Sequence, residues 1–215
     1  MMIKKTLTFV FFSFSVMSFA QQKFSIVPSV GYAWRTASMP KGISREEREY
    51  IKGLKSGVNF DVAAYYNLKN IGIGFRYSNY SASSDGILRV QGQNGNTVSA
   101  NVSTKDHITF FGPSIMYSNY NEDTRHKLFM DFGLGVISYK TVTGSVNGKG
   151  SSLGLEADFG YQYAVTDNIL IGPKLGFTAG TLSSMTFNGT KVEFPEDQKE
   201  GLHRVSLSAA VSFRF

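Results

Sequence analysis

Alternation with a period of two governs the chain from Phe24 to Phe215, and past the first twenty residues no window sustains the helical spacing of apolar side chains. The run at residues 153–163 shows it plainly: Leu153, Leu155, Ala157, Phe159, Tyr161 and Tyr163 share one face, and Gly154, Glu156, Asp158, Gly160 and Gln162 the other. Seven further runs repeat the pattern, at 24–34, 58–66, 71–77, 111–117, 128–136, 169–177 and 205–215. Val27 interrupts the first, and Phe110 and Met116 intrude on the polar face of the fourth. A two-residue period is that of a β-strand, whose successive side chains point to opposite faces. Eight segments of about ten residues match the length with which a tilted strand crosses a bilayer.

The connections alternate as strictly as the side chains. Those at 67–70, 119–126 and 165–168 are short, and those at 36–54, 84–104, 141–150 and 182–201 are long. Short turns on one side and long loops on the other predict an all-β, eight-stranded antiparallel up-and-down transmembrane β-barrel with both termini on the short-turn, periplasmic side. Alternation alone also suits a soluble, lipocalin-like barrel with its apolar face inward. The polar face decides between them, because it is mainly Gly, Ser and Ala with one or two charges per strand, which suits a cramped lumen better than a water-facing surface. The bulky face gathers Phe24, Tyr66, Tyr117, Tyr163, Phe213 and Phe215 near the short turns as an aromatic girdle, and Trp34 is a candidate for the opposite girdle.

Charges on the inward face are nearly balanced: Arg35, Arg76, Lys174, Arg204 and Arg214 against Asp61, Asp131, Glu156 and Asp158. Buried charges need partners. A first turn symmetric about Leu68 and Lys69 places Asp61 directly across from Arg76, and pairing Tyr163 with Ile169 places Asp158 opposite Lys174. These lumen ion pairs predict a plugged barrel rather than an open pore.

Lys4 and Lys5, an apolar stretch from about Leu7 to Phe19, and Ser18-Phe19-Ala20 before Gln21 read as a secretory signal peptide over residues 1–20, cleaved after Ala20. Such a segment implies passage through the Sec translocon and signal peptidase, leaving one barrel domain over residues 21–215. Its apolar core is shorter than the roughly 20 residues of a membrane-spanning helix. The chain has no cysteine, which excludes disulfides, thiolate chemistry and a lipidated N-terminal Cys. The net charge of +6 includes Lys4 and Lys5, and the other basic residues are scattered among acids, so nucleic acid is not an expected partner.

With the signal peptide, the eight segments and a terminal Phe215 preceded by Phe213 and Val211, the chain resembles the small outer-membrane β-barrel family of the OmpA and OmpX type from residue 23 to 215. That resemblance implies residence in the outer membrane of a Gram-negative cell, contact with its lipid and lipopolysaccharide, and a structural or interaction role. In such families the final aromatic residue is the signal read by the barrel assembly machinery, which would here be Phe215 with Phe213. Cleavage ahead of Gln21 and the Gly- and Tyr-rich strands look like the PorT-type barrels of Bacteroidota. No peptidoglycan-binding domain is expected after Phe215.

The long loops are the expected seat of function. Asn94-Gly95, Asn147-Gly148 and Asn188-Gly189 predict type I′ hairpin turns, with strands continuing above the membrane and offering a sheet edge to an extracellular protein or ligand. Ser44-Arg45-Glu46-Glu47 predicts a capped surface helix to about Leu54. Lys41, Lys55, Lys105, Lys140 and Lys149 fall near the outer rim, where they either contact lipopolysaccharide phosphates or are ordinary surface charge. Catalysis on lipid A acyl chains would need a nucleophile, a base and an orienting acid. His107, His126 and His203 have no distinctive spacing to such groups, so no catalytic, metal or cofactor site is expected. A small transporter or a secretion-complex accessory barrel is the other reading.

Overall fold

Eight antiparallel strands close on themselves. The computed structural model describes residues 22–37, 39, 42–91 and 97–215; the expected signal peptide, Lys41 and Asn94-Gly95 lie outside them. The barrel strands are β1 (Phe24–Arg35), β2 (Ser56–Leu68), β3 (Ile71–Gln91), β4 (Thr97–Ser118), β5 (His126–Thr143), β6 (Val146–Ala164), β7 (Ile169–Leu182) and β11 (Arg204–Arg214). Helix α1 (Arg45–Leu54) precedes β2, and the short strands β8 (Ser184–Phe187), β9 (Thr190–Glu193) and β10 (Glu200–Gly201) fill the last long loop. β1 pairs with β2 on one side and β11 on the other, and β7 joins β6 to β11. Reciprocal backbone bonds between Phe24 and Phe215, 3.1 and 2.9 Å, stitch the ends. Closure leaves no unpaired backbone edge facing lipid.

The faces follow the alternation. Leu153, Tyr117 and Phe75 are 68, 61 and 59 % exposed outward, whereas Arg76, Lys174 and Arg204 are all but sealed within. Val27, Phe110 and Met116, which break the sequence pattern, also point inward and are buried there. They are lumen filling, so the pattern breaks where the interior needs volume.

Two expected registers require correction. β2 runs on to Leu68, which pairs with Ile71, so the turn is Lys69–Asn70 with Lys69 in the left-handed region (φ 55°). Asp61 therefore faces Ser78, and Arg76 faces Ala63. At the third short turn Tyr163 pairs with Ile171, so Asp158 lies opposite Gly176 and Lys174 opposite Gly160. Each turn is centred one residue later than expected. Partners shift by two and every side chain keeps its face, because only an odd shift exchanges faces.

Above the apolar band β3 and β4 continue together to Gln91 and Thr97, a further 14 residues or roughly 45 Å along the strand. β5 and β6 also extend, but their turn is Gly144–Ser145, with Gly144 at φ 57°, and not Asn147-Gly148. Asn147 and Gly148 sit inside β6, paired with Val142 and Thr141. Asn188-Gly189 does form the two-residue turn of the β8–β9 hairpin, with φ 45° and 93°. α1 carries the expected capping box: the Glu47 amide donates to Ser44 Oγ at 3.2 Å, and the Ser44 amide donates to Glu47 Oε2 at 2.8 Å. Its Tyr50 packs on β3 over Gly86 and bonds the Thr104 hydroxyl.

Candidate functional site

The lumen is filled at three levels. Near the short turns Tyr65, Met116, Tyr120, Phe129 and Leu170 form an apolar layer. Towards the long loops Tyr80, Ile108, Phe110, Ile137, Leu182 and Leu202 form another. Between them lies an ionic layer whose charged side chains come from six strands, β2, β3, β5, β6, β7 and β11.

Lys174 donates to Asp61 Oδ2 at 2.5 Å and to Asp158 Oδ2 at 2.8 Å. Arg76 reaches across the barrel to donate to both Asp131 and Asp158, and its Nε lies 3.7 Å from Glu156. Arg204 is 3.6 Å from Glu156 and donates to Ser78 at 2.9 Å, while Ser78 and Thr178 donate to Glu156. Ser29 also donates to Asp61 Oδ2, at 2.7 Å. The four residues singled out by register thus meet in one network. Asp61 bonds Lys174 instead of Arg76, and Asp158 bonds both cations. Such a layer is tolerable in low dielectric only because nearly every charge has a partner and neutral donors take up spare lone pairs.

Arg35 and Arg214 stand apart from this layer. Arg214 lies at the lower mouth, donating to the Tyr120 carbonyl at 2.8 Å and to Asn121, beside Lys127, which donates to the Tyr120 and Glu122 carbonyls. Arg35 lies at the upper mouth, bonds Glu200 and the Gly201 carbonyl, and sits 3.7 Å from Asp106. Lys127 and Asp106 are inward charges that the reading of the sequence passed over. Each has the inward parity of its strand, but Lys127 adjoins the turn at 119–126, and Asp106 falls between the long connection at 84–104 and the alternating run at 111–117.

No protein-family model matches this chain, and no characterised protein matches it by sequence. Solved structures do. Neisserial surface protein A (NspA) superposes with a TM-score of 0.57 at 16 % identity over 90 % of this chain and 97 % of that one. The outer-membrane protein OprG from Pseudomonas aeruginosa superposes with a TM-score of 0.50 at 10 % identity over 89 % and 95 %. The fold is that of the small outer-membrane β-barrels.

An outer-membrane barrel carries an apolar band between two interfaces, and the remaining candidates can be placed against it. Phe24 and Tyr66 meet edge to face at 5.1 Å at the short-turn interface, where Phe213 faces outward beside Phe215. Tyr32 and Trp34 meet at 5.3 Å at the other. His126 joins the short-turn girdle: its Nδ1 lies 2.8 Å from the Tyr161 hydroxyl and its ring packs on Tyr163. His107 faces outward from β4 above the band, and His203 lies between β10 and β11. The three are not brought together, and among the described residues no group of three His, Cys, Asp or Glu is placed to hold a metal.

At the upper mouth, outside the spanning segments, burial pushes the Asp106 carboxyl above the usual aspartate range. Hydroxyls of Thr141 and Tyr139 and the Arg35 guanidinium oppose that rise. Of the rim lysines, Lys55 ends α1 and donates to the Ala37 carbonyl, Lys105 faces outward, and Lys140 and Lys149 stand directly opposite one another on β5 and β6.

Proposed function

We propose that this chain is an integral outer-membrane barrel whose role is structural or interactive and is carried by its loops outside the cell, with both termini in the periplasm. The observation that carries this reading is the contrast between a lumen filled at three levels and strands that run on past the band, braced by α1 and the β8–β9 hairpin. β9 ends the sheet and its four residues are exposed, so its outer edge is free to pair with an extended segment of an extracellular partner. The scattered histidines favour a non-enzymatic role. The likeness to PorT-type barrels rests on the expected cleavage ahead of Gln21 and on the Gly- and Tyr-rich strands.

Two measurements test the reading. Reconstituted in a planar bilayer, the protein is expected to pass no steady current; sustained conductance would replace it with a transporter. On intact cells, an epitope inserted after Gly189 is expected to be labelled and one inserted after Asp167 to be protected. The reverse result would invert the topology.

A further inference from the structure

The outward surface of β3 to β6 changes character along one line. Directly opposite residues form rows across the strands, and the last apolar row is Tyr77, Phe111, Val136 and Leu153. Immediately above it comes a row of small polar groups, Asn79, Thr109, Ser138 and Ser151. Above that the row reads Ser81, His107, Lys140, Lys149 and, on β8, Thr186. Each row rises about 7 Å along the strand. A lipid leaflet seated against the apolar rows therefore sets its headgroups against the hydroxyl and lysine rows.

Lys140 and Lys149 are the anomaly. Like charges directly opposite in an antiparallel pair repel. Among the described residues neither lysine has an acidic partner within ion-pair distance, whereas Lys191 on the adjacent β9 is matched by Glu193 at 2.9 Å. Asp106, next to His107 in sequence, turns into the lumen towards Arg35, and Asp85 on β3 pairs with Ser103, two rows higher. β4, β5, β6 and β8 together enclose a concavity of about 550 Å³, lined by His107, Thr109, Lys140, Lys149, Ser151 and Thr186. Two compact ammonium groups of one sign, with hydroxyl donors beneath them, suit a tetrahedral oxyanion that several donors share.

We infer that this concavity binds the phosphate of a phosphorylated glycolipid of the outer leaflet, clamped between Lys140 and Lys149. The hydroxyl row bonds the sugar or phosphate oxygens, and the acyl chains descend over Phe111, Val136 and Leu153. A lipid is favoured over a soluble anion because a single row of small residues separates the lysines from the apolar band. The inference rests on the outer-membrane placement proposed above.

The test uses the full chain in detergent and in phosphatidylcholine nanodiscs, with bisphosphorylated lipid A and its dephosphorylated form as probes and native mass spectrometry as readout. Retention of the phosphorylated lipid is expected, falling at least tenfold in the K140Q/K149Q double variant and unchanged in K105Q and K191Q. A heat-dependent electrophoretic shift retained by the double variant separates loss of the site from loss of the barrel. Equal retention of the dephosphorylated lipid, or an equal loss in K105Q, overturns the proposal. Displacement of the lipid by millimolar inorganic phosphate that itself binds without any lipid assigns the site to a free anion, which also overturns it. If the epitope after Gly189 proves inaccessible on cells, the topology fails while the retention result still reports on the site.

Discussion

At the scale of single residues, the ionic layer turns on Lys174. Asp61 has it as its one cationic partner among the described residues, and Asp158 shares it with Arg76. Lys174→Met should therefore strand Asp61 and cost about 3–5 kcal/mol, measured as the shift in urea-induced unfolding from lipid vesicles. Adding Asp61→Asn should recover part of that loss. Strictly additive costs would show that the two groups do not interact. Asp106 carries the pH prediction. Its carboxyl binds a proton more tightly in the folded chain than in the unfolded one. Its contribution is thus fully present below the unfolded value of about 3.9 and is lost as the pH rises through the higher folded value. The stability of the wild type relative to Asp106→Asn should fall over that interval. A difference that is flat or grows with pH would contradict the assignment.

At the scale of elements, α1 and the β3–β4 hairpin hold each other in place through one close fit. A Cβ at Gly86 would come within 2.7 Å of the Tyr50 ring. Gly86→Ala should cost about 1–3 kcal/mol by overpacking and expose α1 to limited proteolysis, with the barrel below left intact. The capping box and the Asn188-Gly189 turn were legible in the sequence because both are local devices, closed within four residues. Asn147-Gly148 was equally suggestive locally and was not used. A Cβ on Gly148 would come within 2.7 Å of Phe187 on β8, so this glycine admits an aromatic ring from elsewhere in the chain. Gly144 makes the turn instead.

At the scale of the whole molecule, the barrel is a closed wall between lipid and a filled core, so neighbouring residues in one strand should answer differently to the same change. Ala209 faces lipid near the middle of β11, and Ala210 is wholly buried in the lumen. Ala209→Arg should destabilise folding into vesicles by roughly 2–4 kcal/mol, the midplane cost of a lipid-facing charge. Ala210→Arg should act through the lumen, its effect reduced when a neighbouring inward cation is removed. Equal, negligible costs at both positions would refute the assignment of faces.

Strand number, the side of each face and the identity of most lumen charges are legible along the chain, because parity along a strand is a local property that a misplaced turn cannot disturb so long as partners move by two. Of the two expected lumen pairs, Asp158–Lys174 forms at 2.8 Å and Asp61–Arg76 does not; the other meetings of charge depend on how the barrel closes. Arg76 on β3 finds Asp131 on β5 and Asp158 on β6, and Asp61 on β2 finds Lys174 on β7, across a lumen whose stagger is set by the closure of all eight strands. The rim follows the same logic: Lys140 and Lys149 are nine residues apart in the chain, and they face each other only because β5 and β6 turn at Gly144 and Ser145.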